Sequence, residues 1–281
     1  MKPLISVIIA NRNGRHFLPA CLGTLFKNRS QKYEVIVVDD ASSDGSVEYL
    51  KKYLQKEKRL RLLTIIKHVG TGNVINKGAS ISRGKFLFFL NNDTQTEKDW
   101  SRHILNFFKT YKKAAVGQAK ILKIKTRNFD YAGDYLGPFG FLIERAQGSW
   151  DRGQFDKDVR VFSVKGTAMF VNKRVFIRLG KFDKDYKFAI EETDFTWRAW
   201  LAGYETYYYP KFTVWHAYGT KRKGHDYYVK SEVIYQGCKN TISTLIKNYG
   251  LRRLLIIVPI NILAWLILSL GSLAKGDVVK T

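Results

Sequence analysis

The stretch Lys85-Phe86-Leu87-Phe88-Phe89-Leu90-Asn91-Asn92-Asp93 decides the fold. An unbroken apolar run followed by amides and a carboxylate is how a strand buried on both faces delivers polar groups to its carboxyl end. The same pattern occurs twice upstream. Leu4 to Ile9 runs into Asn11-Arg12-Asn13-Gly14, and Tyr33 to Val38 ends in Asp39-Asp40. Leu60 to Ile66 reads as a further strand. Helical segments lie between them. His16 to Lys27 carries Phe17, Leu18, Cys21, Leu22, Leu25 and Phe26 at helical spacing. Ser42 to Ser46 supplies cap residues for a helix through Tyr49, Leu50 and Tyr53, and Asn73 to Ile81 forms a short helix. Strict alternation predicts an α/β domain with a Rossmann-like, mostly parallel sheet flanked by helices. Ligands of such sheets bind outside the carboxyl ends of the strands, so the three polar clusters should converge on one crevice.

Farther along, Gly117 to Val164 is less regular and rich in Gly, Tyr and Phe, which suggests strands and loops shaping the substrate side of that crevice. Thr167 to Val171 and Glu205 to Tyr209 read as strands, Lys173 to Gly180 and Glu191 to Ala202 as helices. Tyr227, Ile234, Cys238, Ile242, Leu245 and Tyr249 share one face of a long amphipathic helix. Organisation along the chain is thus a catalytic-sized domain over 1–220 and a C-terminal helical part over 221–281.

The chain has 281 residues, enough for a full core, with 45% hydrophobic residues and a formal net charge of +24. That charge fits nucleic acid, an anionic membrane surface or a phosphate-bearing substrate. A nucleic-acid binder would not explain acidic clusters at strand ends, and no nucleic-acid-binding module is recognisable. Cys21 and Cys238 lie far apart without metal-ligand spacing, as expected of free thiols in a reducing compartment. The apolar run Ile5 to Ala10 is too short for a signal peptide, so the chain is expected to start in the cytosol. From Leu254 to Leu270 nearly every residue is apolar, broken by Pro259, Asn261 and Ser269, with Arg252 and Arg253 before it and Lys275 after Ala274. A basic helix leading into an apolar segment predicts a membrane-associating C-terminus at the cytoplasmic face of the membrane; a buried core helix is the alternative.

Several clusters could carry chemistry. Asp93 could hold a hard divalent cation that bridges a diphosphate, or close a turn with Asn91 and Asn92. Asp40 could accept from a pyrimidine imide or a ribose hydroxyl, or form an Asx turn with Asp39. Glu191-Glu192-Thr193-Asp194 packs three carboxylates into a helix start. The macrodipole favours acids there, and like charges that raise one another's pKa suit a general base. His216 could be a metal ligand or a structural histidine. Gly70-Thr71-Gly72-Asn73 opens a helix and could face phosphates, although it matches neither the P-loop nor the dinucleotide fingerprint. Lys221-Arg222-Lys223 could hold phosphates or lipid headgroups, or be a solvated charge run.

In order, these pieces resemble family-2 glycosyltransferases of the GT-A fold, closest to the rhamnosyltransferase-like branch of bacterial surface-polysaccharide enzymes. The resemblance rests on Ile5-Ser6-Val7-Ile8-Ile9 with Asn11, Asn13 and Gly14; Val37-Val38-Asp39-Asp40-Ala41-Ser42 with Asp44-Gly45-Ser46; Leu90-Asn91-Asn92-Asp93-Thr94; Gly166-Thr167-Ala168-Met169; Glu191-Glu192-Thr193-Asp194 with Trp197-Arg198; and Ala202-Gly203-Tyr204. It implies a donor nucleotide held by Ala10, Asn11, Asn13, Asp40, Asn73 and Asn92. Asp40 would read the base, and Asp93 and His216 would bind Mg²⁺ or Mn²⁺. Glu192 would be the catalytic base, beside Glu191 and Asp194. Ala10 stands where proline is common, Arg12 where an aromatic often stacks, Asn91 where many relatives carry Asp, and Glu192 where Asp is usual. The activity implied is inverting transfer of a hexose or deoxyhexose, rhamnose among them, from a UDP- or dTDP-sugar to a glycan or lipid-linked acceptor. A non-catalytic sugar-nucleotide-binding or scaffold protein is the alternative.

Overall fold

A computed structural model describes residues 2–30, 32–217 and 230–274. Its first half follows the alternation: β1 (Ile5–Asn11), α1 (Leu18–Leu25), β2 (Tyr33–Asp40), α2 (Ser46–Leu54), β3 (Leu60–Ile65), α3 (Thr71–Ile81) and β4 (Phe86–Asn91). Then come β5 (Thr94–Thr96), α4 (Trp100–Thr110), β6 (Ala114–Lys123), β7 (Phe129–Tyr131) and a small hairpin of β8 (Asp134–Leu136) and β9 (Leu142–Glu144). After β10 (Val159–Arg160), β11 (Ala168–Asn172), α5 (Lys173–Arg178), α6 (Glu191–Leu201) and β12 (Glu205–His216), the described chain closes with α7 (Lys230–Asn248) and α8 (Leu251–Ala274).

The main sheet runs β10-β12-β6-β11-β4-β1-β2-β3, with β5 on β12 and β7 on β6. β4, β1, β2 and β3 are all parallel, as the alternation predicts. The expectation of a mostly parallel sheet fails beyond β4. β11 runs against both β4 and β6, β10 against β12, and only β12 and β6 are parallel there, so the sheet is mixed. The cause is the excursion after β6, which crosses the carboxyl-end edge and re-enters the sheet downward at Ala168, beside Leu90.

Alternating side chains load the two faces. Phe88 packs on Trp100 at 5.4 Å on one side, with α1, α2 and α4. Phe89 packs on Phe176 at 5.2 Å on the other, with α3, α5 and α6. Burying such aromatics is worth several kcal/mol apiece. β6 is a ten-residue central strand where the sequence suggested irregularity. Its buried Gln118 donates to the Ala168 carbonyl and accepts from Lys165 N–H, and its buried Lys120 pairs with Asp151 at 3.0 Å and with Asp156. Polar residues satisfied inside a strand interrupt the apolar signal while leaving the strand intact.

α7 and α8 pack on the rest of the molecule through Leu245, Ile257 and Trp197. Asn261, buried behind Pro259, donates to the Phe139 carbonyl of the β8–β9 turn. The outer face of α8 leaves Leu255, Leu263, Leu266 and Ile267 more than half exposed. Among the described residues no helix is long and apolar enough to cross a membrane. Tyr227, the Lys221-Arg222-Lys223 run and the expected boundary at 220 lie outside the described residues.

Candidate active site

The three strand-end clusters do meet. Asn11, at the end of β1, donates through Nδ2 to Asp39 Oδ2 at 2.7 Å and accepts through Oδ1 from Asn92 Nδ2 at 2.7 Å. One amide thus ties together the ends of β2, β1 and β4. Gly14 is required beside it, because a Cβ there would stand 2.0 Å from Asn92 Nδ2. Above this knot opens a cleft of about 670 Å³. Ala10, Asn11, Asp40, Asn92, Asp93, Glu191, Glu192 and His216 all line it. Asp40 takes the Val69 N–H at 3.0 Å and lies 2.5 Å from His68 Nδ1, so it pins the 68–69 loop that walls the cleft.

Asp93 lies just beyond β4, and β12 brings His216 to it with Nε2 3.2 Å from Asp93 Oδ1. On the other ring nitrogen, His216 Nδ1 meets Asp130 Oδ2 at 2.9 Å. A carboxylate behind an imidazole fixes the ring and raises its basicity, which is how histidine ligands are usually backed. Burial lowers the affinity of His216 for a proton, but its hydrogen bonds to Asp130 and Asp93 outweigh that and push its pKa up to about 9. A cation binding here would displace that proton.

The acid pair enters from α6. Glu191 is buried with Oε2 lacking any hydrogen-bond partner, and Glu192 Oε1 accepts the Gly166 N–H at 2.7 Å. A Cβ on Gly166 would lie 2.4 Å from that oxygen, so the close approach needs glycine. Burial, helped by the Glu192 charge, holds the Glu191 carboxyl well above the ordinary range, and burial raises Glu192 as well. Two adjacent carboxyls of raised pKa hold a proton more readily than free carboxylates, which suits a general base. Immediately before them Ala189 (φ 64°) and Ile190 (φ 72°) are both left-handed, which is costly for a β-branched residue.

Three expected site residues do not reach the cleft. Asp194 points off the back of α6, where it pairs with Arg198 at 2.7 Å and accepts from Asn248 Nδ2 at 3.1 Å. Its role is structural, because turning about 200° along the helix from Glu192 carries it away from the crevice. Asn13 is left-handed and staples the β1 loop to the next turn, accepting from Ser43 N–H at 2.9 Å and donating its own N–H to Ser42 Oγ at 2.9 Å. Asn73 donates to the carbonyls of Val69 and Lys184, fastening α3 to the 184 loop. Its neighbour Thr71, rather than Asn73, lines the cleft.

Other groups were missed in the sequence. Asp130 and Asp134 line the cleft from the apolar edge of β7 and the start of β8. Burial pushes Asp134 up to about 7, with one oxygen held by Tyr131 OH at 2.6 Å and the other unpartnered. Lys165 closes the same side through Glu144 at 2.8 Å. The only hint of the two aspartates was that each stands next to aromatic residues in the run Phe129-Asp130-Tyr131-Ala132-Gly133-Asp134-Tyr135.

Despite the chain's strong positive charge, this cleft is lined by seven carboxylates, Asp40, Asp93, Asp130, Asp134, Glu144, Glu191 and Glu192. A cation held beside Asp93 would offset charge on an incoming diphosphate. Asp93 oxygen and His216 nitrogen fit two positions of a Mg²⁺ or Mn²⁺ shell whose other positions water and phosphate would fill. Among the described residues no group of three or more His, Cys, Asp or Glu side chains is arranged to hold a metal alone.

Known proteins share parts of this chain. It is 28% identical over 106 residues to the putative teichuronic acid biosynthesis glycosyltransferase TuaG of Bacillus subtilis, a match spanning 38% of this chain and 42% of TuaG. It is 29% identical over 103 residues to the putative glycosyltransferase EpsH of the same organism, spanning 37% of this chain and 30% of EpsH. The chain thus matches less than half the length of these relatives. Among solved structures, GalNAc-T7 with UDP, GalNAc and Mn²⁺ superposes with a TM-score of 0.69 at 16% identity, over 87% of this chain and 48% of that one. The Pyrobaculum calidifontis mannosyltransferase PcManGT in complex with GDP-Man and Mn²⁺ gives 0.62 at 13% identity, over 92% of this chain and 68% of that one. At such identities the superpositions establish a shared GT-A architecture. The sequence profile described as Glycosyl transferase family 2 matches residues 6–180, well over half of the chain. The chain belongs to glycosyl transferase family 2.

Proposed function

We propose that this family-2 glycosyltransferase transfers a sugar with inversion from a UDP- or dTDP-sugar to a glycan or lipid-linked acceptor, in surface-polysaccharide synthesis at the cytoplasmic face of the membrane. The observation that carries the reading is that one cleft is lined both by the Asp93–His216 pair and by the Glu191–Glu192 pair. Glu192, oriented by the Gly166 N–H, takes the proton from the attacking acceptor hydroxyl. Attack from that side, with the diphosphate leaving on the other, inverts the anomeric carbon. Asp40, Asn11 and Asn92, which line the same cleft at the strand ends, would hold the nucleotide. Mg²⁺ or Mn²⁺, held by Asp93 and His216, would neutralise the departing diphosphate as a Lewis acid. The ligands of the structural relatives, UDP with Mn²⁺ in GalNAc-T7 and GDP-Man with Mn²⁺ in PcManGT, favour the same class of donor and cation.

The region 1–220 is read as the catalytic domain, and the C-terminal helices as the part that meets the membrane. Arg252 and Arg253 at the head of α8 are exposed next to its apolar outer face, and the β8–β9 turn it holds leaves Phe139 half exposed and Phe141 about a third exposed. That pairing of cations and apolar side chains suits an anionic bilayer surface.

The test is a thermal-shift panel of UDP, dTDP and GDP, with and without Mn²⁺, on wild type, Asp93→Ala and Glu192→Gln. One nucleotide at a hundred times its Kd should add about 2.7 kcal/mol in wild type with the cation. Asp93→Ala should lose that gain. Glu192→Gln should keep it while transfer falls about 10²–10⁴-fold. Absence of any nucleotide shift would defeat the donor-site reading.

A further inference from the structure

The inner face of α7 lies along the segment that carries the acid pair. Asn240 Nδ2 donates to the carbonyls of Phe188 and Ala189, each at 2.9 Å. One turn on, Thr244 meets Tyr186 OH at 2.9 Å. Lys239 donates to the Asp185 carbonyl at 3.0 Å, Lys247 pairs with Asp183, and Asn248 holds Asp194. Positions 240, 244 and 248 recur every four residues and hold residues 186 to 194, and Lys239 and Lys247 beside them extend the same helix face to 183. None of these side chains lines the cleft.

Asn240 is the member with the sharpest consequence. It is fully buried, and the carbonyls it takes belong to the turn in which Ala189 and Ile190 are left-handed. Such a turn persists only where its surroundings over-determine it. It also sets the direction in which α6 starts, hence where Glu191 and Glu192 sit in the cleft. Resting on the glycosyltransferase reading above, we infer that Asn240 is a positioning residue. Its amide locks the strained 188–190 turn, so that α7 sets the reach of the acid pair toward the acceptor while leaving donor binding to the strand ends.

The experiment compares full-length wild type, Asn240→Ala, Ile190→Gly and the double variant, with nucleotide Kd, donor KM, kcat and hydrogen exchange across 188–192 as readouts. Asn240→Ala is expected to lower kcat about 10²-fold, the loss expected of an ångström of misplacement. Nucleotide Kd and donor KM should stay within twofold, and exchange across 188–192 should rise. Adding Ile190→Gly, which makes a left-handed residue cheap, should recover part of the lost kcat. A purely structural Asn240 would lose kcat and nucleotide affinity together and show no rescue, and that result overturns the inference. Unchanged kcat and exchange overturn it too. Should Asn240→Ala fail to fold, Thr244→Val, which removes only the Tyr186 contact, is read the same way with smaller changes of the same sign. If wild type transfers no sugar, the glycosyltransferase reading fails, while the exchange data still decide whether Asn240 locks the turn.

Discussion

β1 to β4 with α1 to α3, and the segment from Phe182 through α6 together with α7, are held by different physics. In the first region, apolar side chains alternate through a parallel sheet, and residues such as Val7, Ile36, Phe88 and Phe89 are wholly removed from water. In the second, named polar contacts do much of the work. Asn76 takes the carbonyl and N–H of Phe182, Arg198 reaches the carbonyls of Leu179 and Lys181, and Asn240 and Asn248 hold the turn and the back of α6. Apolar burial is tolerant of detail, whereas a directed hydrogen bond fixes an angle. The strand ends at Asn11, Asp40 and Asn92 are therefore carried on the rim of a core, with the Asn11 amide tying them together. The acid pair is held by few contacts, each separately removable.

The contrast can be broken by substitutions of decreasing expected effect. Phe88→Ala, in the centre of the apolar region, should cost about 3–5 kcal/mol of unfolding free energy in a denaturant titration. A loss below 1 kcal/mol would mean that the sheet is not what holds that half. Asp134→Asn probes the polar side through pH. Its carboxyl is raised to about 7 in the folded chain, so the folded state holds the proton more tightly than the unfolded one. Stability from that proton is complete below about pH 4 and lost as pH rises toward 7. Asp134→Asn should therefore flatten this decline and be more stable than wild type at pH 8, by about 1–3 kcal/mol. An unchanged pH profile would remove Asp134 as a buried acid. Smallest is Leu263→Ser on the outer face of α8, expected to shift stability by about 0.5 kcal/mol or less. Sedimentation with phosphatidylcholine–phosphatidylglycerol vesicles should nevertheless fall measurably, and equal sedimentation would argue against α8 as a lipid-facing surface.

The same division governed what the sequence could tell. Strand ends at Asn11, Asp40 and Asp93 were legible because a buried parallel strand writes a continuous apolar run and stops abruptly at its polar end. β6 was not, since Gln118 and Lys120 find partners inside the fold and break the run. Glu191, Glu192 and Asp194 look equivalent as a cluster, and only the turn of the helix separates the two that face the cleft from the one that faces Arg198. Asn13 and Asn73 were placed on the donor by motif, yet their side chains are spent on neighbouring backbone. Asp130 and Asn240 act through partners 86 and 52 residues away, and such pairings leave no local period to read.

The antiparallel re-entry of β11 has a consequence for one wall of the cleft. The chain leaves β6 and returns on β11 beside it, laying β7 along β6 and β10 along β12 on the way, so both ends of the 124–167 excursion and two points within it are anchored in the same scaffold. Loop-closure entropy grows only slowly with length, so the stretches of this excursion between β7, β10 and β11 can lengthen, shorten or change composition without rethreading the sheet. It supplies Asp130, Asp134, Glu144 and Lys165 to one wall of the cleft. Changes there would redraw that wall while leaving the strand-end contacts of Asn11 with Asp39 and Asn92 untouched.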